Sequence, residues 1–318
     1  MSGGHSIEDF FPGNPNPPRL RIRNTPPPPA EAAVPEPEDL DEALHPLLTA
    51  LQGRRLAVVT GAGISTDSGI PDYRSPGSTP RSPMTIQQFM AEERWRRHWW
   101  ARNQVGWHGP HRAEPNAGHR ALADLERRGI VTGVITQNID RLHARAGTTN
   151  LVELHGRYDR IRCSQCARTY SRREVARWLD DLNPGWVAER IRDAETAPDA
   201  DAILTETESF RVAPCPACGG ILRADVVFFG DSVPPETVAD ASRLVDSSDA
   251  LLVAGSSLAV ASALRFVRRA HTQGKPIAII NRGETRADTL ATATAHVGTS
   301  RALPWLADRL SGTGEPAT

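Results

Sequence analysis

Five short apolar runs recur along this chain, at 56–59, 134–136, 226–229, 250–254 and 276–280, and none alternates apolar with polar residues. Unbroken apolar runs of this length predict strands buried on both faces, as in a parallel sheet. Between them lie stretches with apolar residues at helical spacing, over 117–128, 237–245 and 259–272. A further amphipathic helix is predicted over 39–52, where Leu40, Leu44, Leu47, Leu48 and Leu51 share a face and Pro46 marks a bend or the true start. Strands alternating with helices predict a doubly wound α/β sheet. Two stretches interrupt the alternation. Residues 75–115 are polar and carry Trp95, Trp99, Trp100 and Trp107, and residues 157–222 hold all four cysteines.

Composition changes this picture at the ends of the chain. Residues 1–38 are rich in proline, with the run Pro26 to Pro29, and close on acidic residues. Such a segment cannot bury enough apolar surface to offset its chain entropy, so a disordered or polyproline-like tail is expected, with a docking peptide as the alternative. A flexible C-terminus is expected over 312–318. The 318-residue chain can bury a substantial core. Its formal net charge of −1 excludes a global field drawing it to nucleic acid or membrane. No apolar run is long enough to span a bilayer, and no basic-then-apolar leader opens the chain, so a cytoplasmic location is expected. Lys275 is the only lysine, so the protein can hardly serve as its own lysine substrate.

Residues 61–74, GAGISTDSGIPDYR, follow the first apolar run. A strand entering a glycine-rich turn is how a phosphate-cradling loop is built: Gly61 and Gly63 admit the backbone to a pyrophosphate, and the next helix N-terminus is expected to aim its N–H groups at it. As a dinucleotide fingerprint the segment is imperfect, because Thr66 stands where a third glycine belongs. Ser65, Thr66, Asp67 and Ser68 add hydroxyl and capping chemistry, and Asp72, Tyr73 and Arg74 follow a Gly-Ile-Pro turn.

The four cysteines form two C-x-x-C pairs, Cys163/Cys166 and Cys215/Cys218. Each pair can place two thiolates on one tetrahedral zinc ion, and four sulfurs would close its coordination shell, making it structural. A redox dithiol is the competing reading; two matched pairs near Pro216 and Gly219-Gly220 favour zinc.

The loop at 61–74 resembles the cofactor loop of the sirtuins, the NAD-dependent protein deacylases. The resemblance runs from about Leu51 to Leu310 through Gln137-Asn138-Ile139-Asp140, Glu153-Leu154-His155-Gly156, the cysteine pairs, Val226-Val227-Phe228-Phe229-Gly230, Gly255-Ser256-Ser257-Leu258 and Ile280-Asn281-Arg282-Gly283. It implies a Rossmann-like large domain over 39–74, 116–156 and 223–311. A smaller domain would join a cofactor loop and helical module (75–115) to a zinc module (157–222), with NAD and acyl-lysine meeting in the cleft. The 48-residue loop between the cysteine pairs matches the class II branch, that of the mitochondrial lipoamidase sirtuin.

Histidine is the natural general base near neutral pH, and His155 should lie at a strand end facing the cleft. A histidine after an apolar strand is commonly just a hydrogen-bonded structural residue; the flanking motifs turn the reading toward catalysis. His143, on the helix expected after Gln137–Asp140, is read as structural. Asn138 and Asp140 fall at a strand's carboxyl end, where ligands bind in such sheets and where an amide and a carboxylate suit a carboxamide and a ribose hydroxyl or water. The resemblance implies that Asn138 and Asp140 hold the nicotinamide amide and help twist its ribose, with Ile139 in the same loop and Gln137 on the ribose hydroxyls. It further places Gly61, Ala62, Gly63, Ser65, Thr66, Asp72, Tyr73, Arg74, Gly255, Ser256 and Ser257 on NAD. Asn281, Arg282, Gly283, Ser300 and Arg301 would hold its adenosine end. His155 would take a proton from a ribose hydroxyl, and the products would be free lysine, nicotinamide and 2′-O-acyl-ADP-ribose.

Val226, Val227, Phe228, Phe229 and Gly230 are expected to pair with the substrate backbone, Val227 and Phe228 flanking the lysine. The stretch Trp99-Trp100-Ala101-Arg102-Asn103 resembles the class II branch, whose succinyl- and malonyl-preferring members carry Tyr-x-x-Arg there. Here Trp99 replaces the tyrosine while Arg102 is kept, so Arg102 either pairs with an acyl carboxylate or is a solvated helix residue. Two other functions stay open: ADP-ribosyl transfer to protein or NAD hydrolysis at the same site, and nucleic-acid binding through Arg157, Arg160, Arg162, Arg168, Arg172 and Arg173 around the cysteines.

Overall fold

The structure is a computed structural model that describes residues 36–72, 84–107, 111–190, 204 and 206–311. Most of the proline-rich tail, Tyr73, Arg74 and residues 312–318 lie outside the described residues. Six parallel strands form the larger sheet in the order β3-β2-β1-β7-β8-β9. They are β1 (Leu56–Thr60), β2 (Val131–Thr136), β3 (Leu151–Glu153), β7 (Ala250–Ala254), β8 (Ile277–Ile280) and β9 (Ala293–Ala295). The strand order reverses between β1 and β7, and such a switch point opens a crevice at the strands' carboxyl ends.

The unbroken apolar runs are explained by helices on both faces. Leu56 and Val58 pack beneath α1 (Leu40–Leu51), α4 (Ala117–Arg127) and α10 (Thr299–Ser311). Ala57 and Val59 pack beneath α8 (Pro235–Asp246) and α9 (Ala261–Thr272). Full burial of each larger aliphatic side chain stabilises by about 1.5–3 kcal/mol. The helix α1 begins at Leu40, capped by the Asp39 carboxylate on the N–H groups of Asp41 and Glu42, so Pro46 lies inside it rather than at its start. The short strand β9 carries too few apolar residues to show in the sequence.

The second sheet is antiparallel, β5-β4-β6, built from β4 (Gly156–Cys163), β5 (Thr169–Ser171) and β6 (Leu222–Val226). Here the apolar run at 226–229 departs from expectation. It is not a strand of the parallel sheet: the strand is β6, it ends at Val226, and it pairs with β4. Residues Leu222–Val226 thus share a sheet with the strand that carries Cys163. Phe228 owes its burial to an aromatic cluster rather than to a sheet. Helices α2 (Ile86–Ala91) and α3 (Glu93–Gly106) share one core with this module, where Phe89, Trp100 and Val105 meet Ile161, Leu222 and Phe228, together with Val175 and Leu179 of α6 (Arg172–Leu182). Helical module and cysteine module are one packing unit.

Candidate active site

The loop after β1 is shaped by its neighbour. The Gly63 N–H donates to the Gly255 carbonyl at 2.9 Å, and a Cβ on Gly61 would lie 2.8 Å from the Ser256 Cβ. Gly255 itself has φ +65°, and a Cβ there would lie 2.4 Å from the Ile64 nitrogen. The glycines are thus required for the β1 and β7 loops to touch across the switch point. The expected helix N-terminus is absent among the described residues: two 3₁₀ turns, Ala62–Ile64 and Thr66–Ser68, follow β1 instead. Thr66 Oγ1 donates to the Gly63 carbonyl, closing the turn where a third glycine was missing. On the other side of the crevice, Gln137 Nε2 donates to Ser256 Oγ at 2.7 Å, joining the β2 loop to the β7 loop over the end of β1.

A buried polar network lies beneath these loops. Asp140 is 4% exposed. Its Oδ2 accepts from Ser65 Oγ at 2.7 Å and its Oδ1 from the Leu142 N–H at 2.9 Å, which starts α5 (Leu142–Ala146). Burial raises the Asp140 pKa, opposed by those donors and by Asn138. Asn138 Nδ2 donates to the Gly61 carbonyl and to Ser65 Oγ. Because Ser65 spends its proton on Asp140, it accepts from Asn138 and from His119 Nε2, 3.5 Å away. Behind them Thr60 Oγ1 donates to Thr136 Oγ1 and so accepts from His143 Nε2 at 2.9 Å. The His119 and His143 rings meet edge to face. Burial lowers the pKa of His119 to about 4 and that of His143 well below its ordinary value, so both are neutral at physiological pH. Asn116 caps α4 and returns to His119. Neither Asn116 nor His119 was singled out in the sequence; the signal available was the Asn-x-x-His capping pattern ahead of an apolar helix.

Arg141 holds the loop from the outside. It sits in the left-handed region at φ 68°, a conformation that costs energy in a non-glycine residue, and it is pinned by ion pairs to Glu153 and Asp159. Ile139 reaches the smaller unit, where its carbonyl accepts from the Tyr158 N–H and its side chain meets Trp107.

His155 stands between β3 and β4. Its Nδ1 lies 2.9 Å from the Gln137 carbonyl and its Nε2 lies 2.8 Å from Ser262 Oγ. A carbonyl only accepts, so Nδ1 carries the proton and the Nε2 lone pair is the basic atom. Burial lowers the His155 pKa, with the Gln137 carbonyl opposing it. At the adenosine end of the resemblance, Asn281 donates to the Gly283 carbonyl, while Arg282 and Arg301 both pair with Glu36. After β9, His296 Nδ1, Thr299 Oγ1 and Ser300 Oγ are buried without hydrogen-bond partners. Polar capacity left unspent at the carboxyl edge of the sheet fits a polar ligand there.

The four cysteine sulfurs lie within 4.8 Å of one another, with Cys163–Cys218 at 3.6 Å and Cys166–Cys215 at 3.8 Å. A zinc tetrahedron with Zn–S bonds of about 2.3 Å sets its sulfurs about 3.8 Å apart, so the cluster fits that ion, held by thiolates alone. Of the arginines around it, Arg162, Arg168 and Arg173 are exposed, whereas three others are engaged within the chain. Arg172 is 2% exposed, stacked between Trp100 and Trp107, and burial lowers its pKa to about 9. Arg157 and Arg160 pair with Asp159 and Asp225.

The segment at 226–230 is partly paired within the chain. The Val227 N–H donates to the His155 carbonyl, and the Phe229 carbonyl accepts from Ile86. Phe228 is 6% exposed and packs on Phe89 and on Trp99, at 5.1 and 5.5 Å between ring centroids. Arg102, one turn beyond Trp99, donates to His98 Nε2 at 3.2 Å. Ser257 follows Ser256 after β7, and Asp72 is the half-buried last described residue of the segment after β1. Among the described residues no helix is long and apolar enough to cross a membrane.

Comparison with known proteins shows the family. The Sir2 family profile matches residues 61–262. NAD-dependent protein deacetylase 1 of Mycobacterium avium (strain 104) is 56% identical over 267 residues, covering 83% of this chain and 95% of the relative. NAD-dependent protein deacetylase 1 of Streptomyces coelicolor is 49% identical over 282 residues, covering 86% and 93%. Among solved structures, a Sir2–p53 peptide–NAD+ complex superposes with TM-score 0.66 at 28% identity, covering 83% of this chain and 97% of that one. With the family profile spanning most of the chain and a relative this similar along nearly its whole length, the chain belongs to the Sir2 family.

Proposed function

We propose that the protein is an NAD-dependent protein lysine deacylase of the class II branch. The observation that carries this is the convergence, at the β1/β7 switch point, of a neutral His155 with a basic Nε2 and the buried Asp140–Ser65–Asn138 network, in a chain of the Sir2 family. The relatives named as deacetylases and the neighbour solved with a peptide and NAD+ support the substrate class. Bound NAD would supply the ADP-ribosyl group that accepts the acyl chain and would be consumed. The glycine turn at 61–63, Gln137 and Ser256 would hold its phosphates and ribose, and Asn281, Ser300 and Arg301 its adenosine end. Asn138 and Asp140 would fix the carboxamide in a water-poor pocket, where oriented polar groups act most strongly. His155 Nε2 would take the proton of a ribose hydroxyl. The segment 226–230 would line the acyl-lysine, with Trp99 and Arg102 bearing on the acyl end. The cysteine cluster would hold structural zinc remote from this chemistry. The cysteine thiolates suit a reducing compartment, which favours the cytoplasm.

The class II assignment rests on Trp99 to Asn103, on Trp107 and on the long loop between the cysteine pairs. The experiment is mass spectrometry of acetyl-, long-chain, lipoyl-, succinyl- and glutaryl-lysine peptides with and without NAD. Free lysine appearing with O-acyl-ADP-ribose, only with NAD, upholds the reading. Cleavage of NAD without loss of any acyl group would move the assignment to ADP-ribosyl transfer or NAD hydrolysis.

A further inference from the structure

Ser262 is the second residue of α9, a position whose hydroxyl could have served its own helix terminus. The N-cap of that helix, Val260, makes no side-chain cap, and Ser262 turns its hydroxyl to His155 Nε2 instead, 2.8 Å away. The imidazole is thereby held at both nitrogens by residues from different elements, the Gln137 carbonyl after β2 and the Ser262 hydroxyl on α9. The two contacts are chemically unlike. The carbonyl is a fixed acceptor that pins the proton to Nδ1. The hydroxyl donates to the bare Nε2 and, by rotating its own hydrogen, accepts from the same atom once that atom is protonated.

We propose that Ser262 is a positioning residue for the general base: without substrate it holds the His155 ring through the Nε2 lone pair, it turns its hydrogen away and yields that lone pair to the substrate hydroxyl, and after proton transfer it accepts from the new N–H. The inference rests on the deacylase reading of His155. The proton balance is closed: the substrate O–H bond breaks, the N–H bond at Nε2 forms, and Ser262 ends as acceptor of that new N–H with its own proton retained. A donor that could not reverse, such as a backbone N–H or an arginine, would oppose the imidazolium. On α9 itself Arg265 and Arg268 are exposed to solvent, and the charges on the neighbouring strands and loops are engaged elsewhere. Glu153 of β3 pairs with Arg141, Arg157 of β4 with Asp159, Asp225 of β6 with Arg160, and Asp140 after β2 is satisfied by Ser65 and Leu142. The serine is therefore the side chain through which the state of His155 can be adjusted without altering net charge.

The test compares wild type, Ser262→Ala and Ser262→Thr in two measurements. The first is ring-nitrogen NMR of His155 in the protein without NAD, titrated with pH and assigned through His155→Ala. Charge-assisted hydrogen bonds are the stronger ones, so the imidazolium loses more than the neutral ring when the hydroxyl goes. The His155 pKa is expected to fall in Ser262→Ala and to return in Ser262→Thr. The second is steady-state deacylation: kcat is expected to fall about tenfold with little change in the KM for NAD, within the hundredfold that a misplacement of about 1 Å can cost, and the threonine variant is expected to recover most of it. An unmoved titration with wild-type kcat in the alanine variant overturns the role of Ser262 while leaving the deacylase intact. An inactive wild type whose NMR titration still responds to Ser262 would instead overturn the functional reading and leave the contact standing. Zinc content and circular dichroism of each variant separate both results from misfolding.

Discussion

Ser65 Oγ donates to Asp140 Oδ2 at 2.7 Å, and this bond fastens the glycine loop after β1 to the loop after β2. Asp140 uses both oxygens as acceptors, the second taking the Leu142 N–H. Asparagine offers only one acceptor oxygen. Asp140→Asn must therefore place its NH₂ against a Ser65 hydroxyl that already accepts from Asn138. The expected outcome is a folded protein with kcat/KM lowered by roughly a hundredfold, the scale of losing one preorganised polar group in a water-poor site. Ser65→Ala should lose less. Wild-type turnover in Asp140→Asn would reduce the carboxylate to a cap for α5.

The paired histidines make the fold acid-sensitive. His119 titrates near 4 in the folded protein because it is buried, against about 6.5 when unfolded. Between those values the unfolded chain binds the proton and the folded chain does not, so stability is complete above about pH 6.5 and is lost as pH falls toward 4. For His119 alone the loss is on the order of 3 kcal/mol. Denaturant melts of wild type and His119→Asn at pH 7.5 and pH 4.5 check this: the variant should show a smaller drop between the two. Equal slopes would mean that His119 is solvated or protonated in the native state.

Metal removal should act on one part of the molecule. The sulfurs of Cys163, Cys166, Cys215 and Cys218 join the turn after β4 to the turn before β6, and these strands share a core with α2, α3 and α6. Chelation or Cys166→Ser is expected to lower the melting midpoint by roughly 5–10 °C. Amide exchange should rise in β4, β5 and β6 while β1, β2, β7 and β8 stay protected. Stoichiometric zinc by elemental analysis, lost in the serine variant, completes the test. A protein without zinc and with unchanged exchange would return the cysteines to a redox role.

Much of this was legible in the chain because the parallel strands are buried on both faces, and burial on two faces leaves an unmistakable apolar run. Val58 and Val59 point into different cores, so neither position tolerates a polar residue. The run at 226–229 misled for the same reason: Phe228 is buried, but against Phe89 and Trp99 rather than within the parallel sheet. His119 was legible only as the partner of Asn116 in a capping pattern; its contact with His143 comes from the tertiary fold, which no local pattern encodes. Ser262 was equally hidden, 107 residues from the histidine it touches. Gly61 and Gly255 were visible as glycines, yet the need for them arises from each loop's approach to the other.

Acyl preference should be set where Trp99 meets Phe228, 5.5 Å apart between ring centroids. Trp99 also packs edge to face on Phe89 and Trp100, so the indole is fixed and occupies space that a tyrosine would leave open. Arg102 lies one turn along the same helix, with His98 beside it; burial and the Arg102 charge lower the His98 pKa, leaving a neutral acceptor. Trp99→Tyr restores the Tyr-x-x-Arg pattern and adds a hydroxyl next to that guanidinium. The expected result is a rise in the ratio of succinyl- to acetyl-peptide kcat/KM by about tenfold, the worth of roughly one charge-assisted hydrogen bond. Trp99→Tyr combined with Arg102→Met should abolish the gain, since the carboxylate then has no cation to meet. Trp99→Ala should favour bulkier apolar chains at some cost in stability, as truncating the indole opens space within the aromatic cluster. A ratio unchanged in all three variants would remove this cluster from substrate selection and leave its aromatic residues as packing alone.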